Sequence, residues 1–576
     1  MKRTKTLIIR KYGEYFVPTV LTAMATNFAA IVDACIVGNL IDSTALSVIN
    51  ILMPVVQFYA AVSILFGIAA SAIIAGSRGK DGNDFTTGNL TLSVTVISLL
   101  GIAAVMMVLQ FVFMDEIVAF LTPVREIRPQ VRDYYLPFIC GTPITLLTSS
   151  FVHVVRTDSR PKYATAIVFV TNGVNLALDV ALIKFCGMGL LGASLATVIG
   201  SVAGLTMILC HFKSPMSTVH WDSFVLRRPK RFFGFLLSEL AAGASGAMGV
   251  MLTTAKLLFL NLLVQHYGGK AGMVSFSAVS FCQVVESAFV SGGCQAMVPL
   301  VSLLNGEKDR RGVEYAFRAA LLILAVSCLV ITVIMELFPG SAAAIYGITG
   351  EQLIDTVAAI RVSMLMLLGD AIVYLFIYFY MCVGRKLLSI VFSVLNGIVF
   401  VLPFGLILGK TFGIDGVWWS LSAAQYAALL TLLLTALIIK KVQHCESITL
   451  LDDSEDKDIL AFSVSPNGID LASVRKEVAS KAGETVADAA CDILMILDRA
   501  KTAPRRKKNA DVRILSGGTC SVIVKSGGAL VSETDIAELS EKHGGLRYSE
   551  SMGFRYIILL DEINGSKEKS HAIYRS

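Results

Sequence analysis

Two aspartates stand where lipid is expected. Asp33 lies inside the apolar stretch "NFAAIVDACIVGNL" and Asp179 inside "NGVNLALDVALIKF". An ionised aspartate at the centre of a transmembrane helix costs about 2.5 to 3.5 kcal/mol on insertion scales, so such residues face a cavity and tend to be functional. Asn172, Asn175 and Asp179 are spaced i, i+3 and i+7, which puts all three on one helical face. Asp33 and Asp179 each fall about 16 residues, roughly 25 Å, into their apolar spans, so the two acids share a depth. A carboxyl pair in low dielectric can take up and release a proton; joined by the amide oxygens of Asn172 and Asn175 as supporting ligands it can cage Na⁺. The plainer alternative is that Asp33 hydrogen-bonds a neighbouring helix.

The elements that must position these residues are membrane helices. The chain is 55% hydrophobic and 16% charged over 576 residues, with a mean hydropathy of +0.71, too apolar for a soluble protein of several domains. The expected fold is all-α and polytopic, with spans at 16–37, 44–74, 90–114, 133–155, 163–183, 188–211, 236–265, 271–302, 317–338, 354–383, 387–408 and 416–439. That makes twelve transmembrane helices. The basic start "MKRTKTLIIRKYGEYF" leads into a retained first helix rather than a signal peptide. Eleven cysteines without CxxC spacing, several inside apolar runs, describe neither a disulfide framework nor a metal site. Net charge +6 reflects topology and is no sign of nucleic acid. With the N-terminus inside, the inner loops hold 23 Lys and Arg and the outer loops six, which places both termini in the cytoplasm.

The halves repeat. Asn172, Gly173, Gly189 and Gly192 fall on Asn396, Gly397, Gly413 and Gly416 at an offset of 224, and Gly79 falls on Gly306 at 227. Two parallel six-helix repeats around a central cavity are transporter architecture. The expected division is 1–212 for a first lobe, 213–235 for a cytoplasmic loop, 236–440 for a second lobe, 441–457 for an acidic linker and 458–576 for a small cytoplasmic α+β domain. The second lobe lacks the acid pair, since Val399 and Pro403 replace Asn175 and Asp179. Its own intramembrane ionisable residues are Lys256, Glu286, Arg361 and Asp370, read either as mutually neutralising ion pairs or as substrate contacts. His153 reads as an interface residue, and Pro18 and Pro54 as bends in the first two helices.

The strings "VDACIVGNL", "RTDSRPKYA", "NLALDVALI", "GMGLLGASLAT" and "GIDGVWWS", with the Gly-Lys-Asp turn after the second helix, resemble the multidrug and toxic compound extrusion (MATE) family over residues 10–440. The resemblance implies a V-shaped, alternating-access antiporter that expels amphipathic, often cationic, small organic compounds against inward H⁺ or Na⁺, with H⁺ favoured here. In branches of the family with a first-lobe cation site, a helix 1 aspartate and an Asn-x-x-x-Asp on helix 5 carry the ion; these correspond to Asp33, Asn175 and Asp179. Branches with a second-lobe Na⁺ site have an acid in helix 7, where this chain offers Lys256. The tail resembles the histidine-kinase-like ATPase domain of anti-sigma-factor kinases in degenerate form: Asp492 and Ile496 fall on its Glu-x-x-x-Asn helix, and Ser526 and Gly527 replace its acids. ATP binding is therefore not expected, and a regulatory role or a cytoplasmic protein partner is. The expectation is a monomeric, multi-pass, non-enzymatic transporter of the bacterial cytoplasmic membrane, without cofactor. The rival readings are a lipid-linked oligosaccharide flippase of the same superfamily and a membrane sensor signalling through its tail.

Overall fold

In the computed structural model, the described residues are 5–41, 43–80, 85–122, 125–215, 217–222, 229–345, 348, 350–442, 449, 458–464, 471–499, 501–502, 510–515, 521–527, 529–543, 546–551 and 554–560. Of the acidic linker expected at 441–457, all but residues 441–442 and Thr449 lies outside them.

Apolar segments that leave no water for their backbone must close their own hydrogen bonds, and here they do so as helices. The first half comprises α1 (Thr6–Leu40), α2 (Ser43–Gly79), α3 (Phe85–Val112), the short α4 (Met114–Leu121), α5 (Arg128–Cys140), α6 (Thr142–Thr157), α7 (Pro161–Val180) and α8 (Gly189–Lys213). The second half comprises α9 (Pro229–Gly306), α10 (Arg310–Leu337), the short α11 (Pro339–Ile345), α12 (Glu351–Met364), α13 (Met366–Cys382), α14 (Lys386–Val394) and α15 (Val401–Val442). Nine helical stretches among the described residues are long and apolar enough to cross a membrane, and α5 with α6, meeting at 61°, makes a tenth. Two of these double back: α9 reverses at Gly269 (φ 53°) and α15 at Gly413 (φ 63°), left-handed positions that favour glycine. Each therefore supplies two crossings, which brings the total to the twelve expected. Gly189, the repeat partner of Gly413, also has a positive φ of 54°, so the repeat is written into the backbone as well as the sequence.

α1 starts some ten residues earlier than the expected span. Its early apolar residues explain this: Leu7, Ile8, Tyr12 and Tyr15 are buried in one cluster with Val290, Met297, Leu324 and Phe379 of the second half. Both α1 and α2 continue as helices through Pro18 and Pro54.

The two halves share a core at one end only. At the end where α1 begins, termed the tail end, Gly79 packs on the backbone of Leu303 and Glu307, and Gly306 on that of Gly76. Thr95 of α3 donates to Glu239 of α9 at 2.5 Å, and Tyr12 donates to the Gly293 carbonyl at 3.1 Å. Toward the far end the cores separate. Val37, Val48, Ile49 and Leu52 pack with first-half residues, while Leu260, Leu263, Val264 and Phe276 pack with α12 and α15. The bundle is closed at the tail end and splayed at the other.

The tail is a five-stranded antiparallel sheet in the order β1-β3-β4-β7-β6, built from β1 (Asp458–Val464), β3 (Ala510–Leu515), β4 (Ser521–Ser526), β6 (Leu546–Ser551) and β7 (Phe554–Leu560). The two-residue strands β2 (Lys501–Thr502) and β5 (Ala529–Leu530) pair separately. One sheet face, with Val512, Ile514, Val522, Val524 and Ile557, packs on α16 (Leu471–Ala482) and α17 (Glu484–Arg499) through Val474, Val478, Ala490 and Ile493. α18 (Glu533–His543) precedes β6.

Candidate functional site

α1 and α7 run side by side in the same direction, so their contacts climb in step. Thr22 and Thr165 share a hydroxyl hydrogen bond at 2.9 Å, Thr165 also donates to the Pro18 carbonyl at 2.8 Å, and Asn172 Nδ2 donates to the Ala25 carbonyl at 3.3 Å. The sequence separations of the Thr22–Thr165 and Ala25–Asn172 contacts, 143 and 147, bracket the 146 between Asp33 and Asp179. The two carboxyls accordingly meet within hydrogen-bonding reach. Asp179 is fully buried; both its oxygens, and Oδ1 of Asp33, find no other hydrogen-bond partner among the described residues. Two carboxylates this close repel when both are ionised, and a shared proton or an intervening cation relieves that repulsion.

The asparagines serve differently from one another. Asn172 fastens α7 to α1, whereas Asn175 turns toward α8, its Nδ2 donating to Thr197 Oγ1 at 3.2 Å. Tyr134 of α5, buried near both acids, was missed by the sequence reading. A tyrosine in "RDYYLPF" carries no local sign of a partner two helices away.

In the second half the structure gathers Lys256, Glu286 and Asp370 but not Arg361. Lys256 lies close enough to act electrostatically on both acids, and Asn396 Nδ2 donates to Asp370 Oδ1 at 3.4 Å. Among the described residues no salt bridge closes on either acid, and Glu286 Oε2 is buried without a hydrogen-bond partner. The expectation that each acid has its own neutralising base needs correction: two acids share one lysine. Arg361, half exposed, faces Glu336 across α10 and α12 at 3.7 Å. Glu336 sits at the far end of α10, a placement that residue types alone did not signal.

A second polar cluster organises the tail end of the first half. Asp158, fully buried after α6, accepts from Arg78 Nη2 at 2.9 Å, His211 Nε2 at 2.8 Å, Ser217 Oγ at 3.1 Å and both the backbone and hydroxyl of Thr218. Burial alone would raise its pKa, but the His211 hydrogen bond and the Arg78 charge outweigh it and hold this carboxyl well below the usual range. His153 sits against α2 beside Gly67 and contacts Arg156 at 3.4 Å, an interface placement as expected. In the tail, Asp492 accepts from His543 at 2.6 Å and Lys542 at 2.7 Å, which ties α17 to α18.

Twelve crossings in two repeated halves, splayed at one end and holding buried acids within the helices, define a polytopic membrane transporter. Residues 18–181 match the family model MatE. The multidrug export protein MepA of Staphylococcus aureus (strain MRSA252) is 23% identical over 442 residues, 76% of this chain and 95% of that protein. MepA of Staphylococcus haemolyticus (strain JCSC1435) is 22% identical over 422 residues, 73% of this chain and 91% of that protein. A solved structure described as the outward-facing conformation of a multidrug resistance MATE family transporter of the MOP superfamily aligns with a TM-score of 0.68 at 18% identity, covering 75% of this chain and 97% of that one. The chain thus matches the MatE family model over part of its first half and is similar in sequence and fold to MATE transporters over about three quarters of its length. These relatives are matched almost end to end, and a quarter of this chain has no counterpart in them.

Proposed function

We propose that the chain is a cation-coupled efflux antiporter that exports amphipathic, often cationic, organic compounds by alternating access, with its tail end in the cytoplasm of a bacterial cell. The relatives that support the substrate class are multidrug exporters by name. The observation that carries the coupling is the Asp33–Asp179 pair, in which Asp179 is fully buried and its two oxygens, with Oδ1 of Asp33, find no other partner among the described residues. H⁺ is favoured over Na⁺. The two carboxyls lie within reach of each other and can share a proton directly, whereas Asn172 and Asn175 are held through Nδ2 by the Ala25 carbonyl and Thr197, which leaves only their Oδ1 atoms to complete a Na⁺ cage.

In this mechanism a proton entering from the splayed end settles between the carboxyls, removes their repulsion and lets α1 pack tightly on α7. Proton release on the opposite side restores the charge. Substrate and proton favour different arrangements of α1, and that difference in affinity drives exchange. The flippase reading is weaker, because among the described residues Lys256 acts on two acids, Glu286 and Asp370, and makes no cationic patch with them for a pyrophosphate.

The test is efflux of a fluorescent organic cation from proteoliposomes under an imposed pH or Na⁺ gradient, comparing wild type with Asp33→Asn. Flux driven by the pH gradient and abolished in Asp33→Asn supports the reading. Flux driven by Na⁺ alone turns the same pair into a cation cage, and equal flux in both proteins removes Asp33 from the mechanism.

A further inference from the structure

The tail sheet has two faces, and the second is covered by the membrane bundle. Strand alternation places Arg513, Ile523, Lys525, Phe554, Tyr556 and Ile558 opposite the helix-packed face. Phe554, Tyr556 and Ile558 belong to the same buried cluster as Tyr12, Leu303 and Phe379 of the bundle. In the middle of this apolar face stand two cations, Arg513 and Lys525, each only 2% exposed. Charges so buried demand partners, and these lie on the turn between α9 and α10. Lys525 Nζ meets Glu307 Oε2 at 2.6 Å, Tyr556 Oη donates to Glu307 Oε1 at 2.7 Å, and Arg513 donates to the carbonyls of Glu307 and Lys308 at 3.3 and 3.2 Å. Asp309 lies 3.9 Å from Arg513 while its Oδ1 caps α10 through Gly312 N at 2.8 Å. Burial and Glu307 together push the Tyr556 phenol well above its ordinary pKa, so it stays a donor.

The same sheet touches the other half of the transporter. A side chain on Gly527 would strike Leu7 Cδ1 at 2.7 Å, and Lys11 Nζ lies 5.3 Å from the Phe554 ring centre. The turn it grips is also the place where the halves meet, since Gly79 packs on Leu303 and on Glu307 N.

We infer that the tail is a clamp on the tail-side mouth: by holding the start of α1 and the 307–309 turn at once, it stabilises the state closed at that end and must loosen for the mouth to open. A single rigid sheet cannot follow α1 and α9 when they part. The inference rests on the alternating-access reading but not on the identity of the coupling ion or substrate.

The test uses the full chain in lipid nanodiscs, with exposed native cysteines replaced and spin labels placed in pairs. Labels at Lys162 and Leu387, both exposed on opposite halves at the tail end, report the mouth; labels at Glu538 and Leu387 report docking of the tail. Lys525→Glu sets like charges against Glu307 and Asp309. It is expected to broaden the docking distance and raise the open-to-closed ratio of the mouth by roughly 5- to 150-fold, the usual span of conformational couplings. Adding Glu307→Lys should restore both distances. Tyr556→Phe, which keeps the ring and loses one hydrogen bond, should shift both in the same direction by less, and covers the case in which charge reversal unfolds the tail. A tail that undocks while the mouth distance stays unchanged overturns the clamp, as does a docking distance indifferent to both variants. A mouth that opens with substrate yet ignores Lys525→Glu defeats the clamp alone; one that never opens, even with substrate or in Asp33→Asn, defeats alternating access as well.

Discussion

Gly79→Ala should act as a wedge at the mouth. Gly79 closes α2, and the Cβ of an alanine there would lie within contact of the Leu303 carbonyl, 2.7 Å from Glu307 N and 2.9 Å from Gly306 C. Real Cβ atoms do not approach backbone this closely, and neither neighbour is a flexible side-chain tip, so the helices must move apart. Overpacking of this kind costs about 1 to 3 kcal/mol. The cost falls on the closed state alone, because the contact exists only while α2 and α9 touch. The ratio of tail-open to tail-closed molecules should therefore rise by roughly 5- to 150-fold. The assay is the Lys162–Leu387 distance distribution together with transport rate. Gly101→Ala serves as the control, since nothing lies within 4 Å of its added methyl. The wedge should lengthen the mean tail-side distance and slow turnover, while the control leaves both alone. If the two variants give the same distribution, the Gly79–Leu303 contact is not the closing contact of the mouth, and the description of the bundle as closed at the tail end by that contact fails with it.

Asp158→Asn should lower stability by about 3 to 5 kcal/mol, the usual result of removing one partner of a buried pair, because Arg78 is left buried without its counter-charge. The folded pKa of Asp158 is depressed, so its contribution is complete above the unfolded value of ~3.9 and is lost only as pH falls through the lower folded value. Thermal unfolding in detergent should thus show the full difference between wild type and Asp158→Asn at both pH 7 and pH 5; a difference that vanishes at pH 5 would refute the assignment. Lys256→Met should reduce folded yield far more than Arg361→Met. The first removes the one base that acts on both buried acids among the described residues, and the second removes an exposed pair worth about 0 to 1 kcal/mol. Monodispersity after solubilisation compares the two, and equal yields would mean that Glu286 and Asp370 do not depend on Lys256.

The acid pair was legible because the code for it is local. Depth along a helix is a count of residues, and two helices that cross the membrane in the same direction bring equal counts to one level, so Asp33 and Asp179 could be matched before any contact was known. The reversal at Gly413 and the crowded glycines 79 and 306 were legible for a similar reason, since a repeat that preserves glycine preserves a backbone demand. The tail was legible as a small α+β domain, and its described residues form both strands and helices. What stayed hidden depends on pairings between distant segments. Tyr134 reaches the acids only through the packing of α5, Arg361 finds Glu336 rather than Asp370, and the charges in "NGEKDRR" counted toward topology while Glu307 in fact receives Lys525 and Tyr556 from more than 200 residues away.

One helix links the three regions. α1 carries Leu7 and Lys11 at the tail sheet, Tyr12 on the Gly293 carbonyl at the mouth, and Asp33 at the acid pair, about 30 Å from Tyr12 at the helical rise of 1.5 Å per residue. Between them lies Pro18, whose missing N–H leaves the Glu14 carbonyl without its usual partner four residues on and makes this turn the easiest place for the helix to bend. The Pro18 carbonyl is in turn held by Thr165 of α7 at 2.8 Å, so the bendable turn is pinned to the helix that carries Asp179. In the proposed mechanism a proton arriving between the acids alters how α1 sits on α7, and the pinned proline turn passes that change to the segment on which mouth and tail both close. On that proposal the coupling ion, the gate and the clamp act on one mechanical element, and charge at Asp33 then matters to a contact at Tyr12 that it never touches.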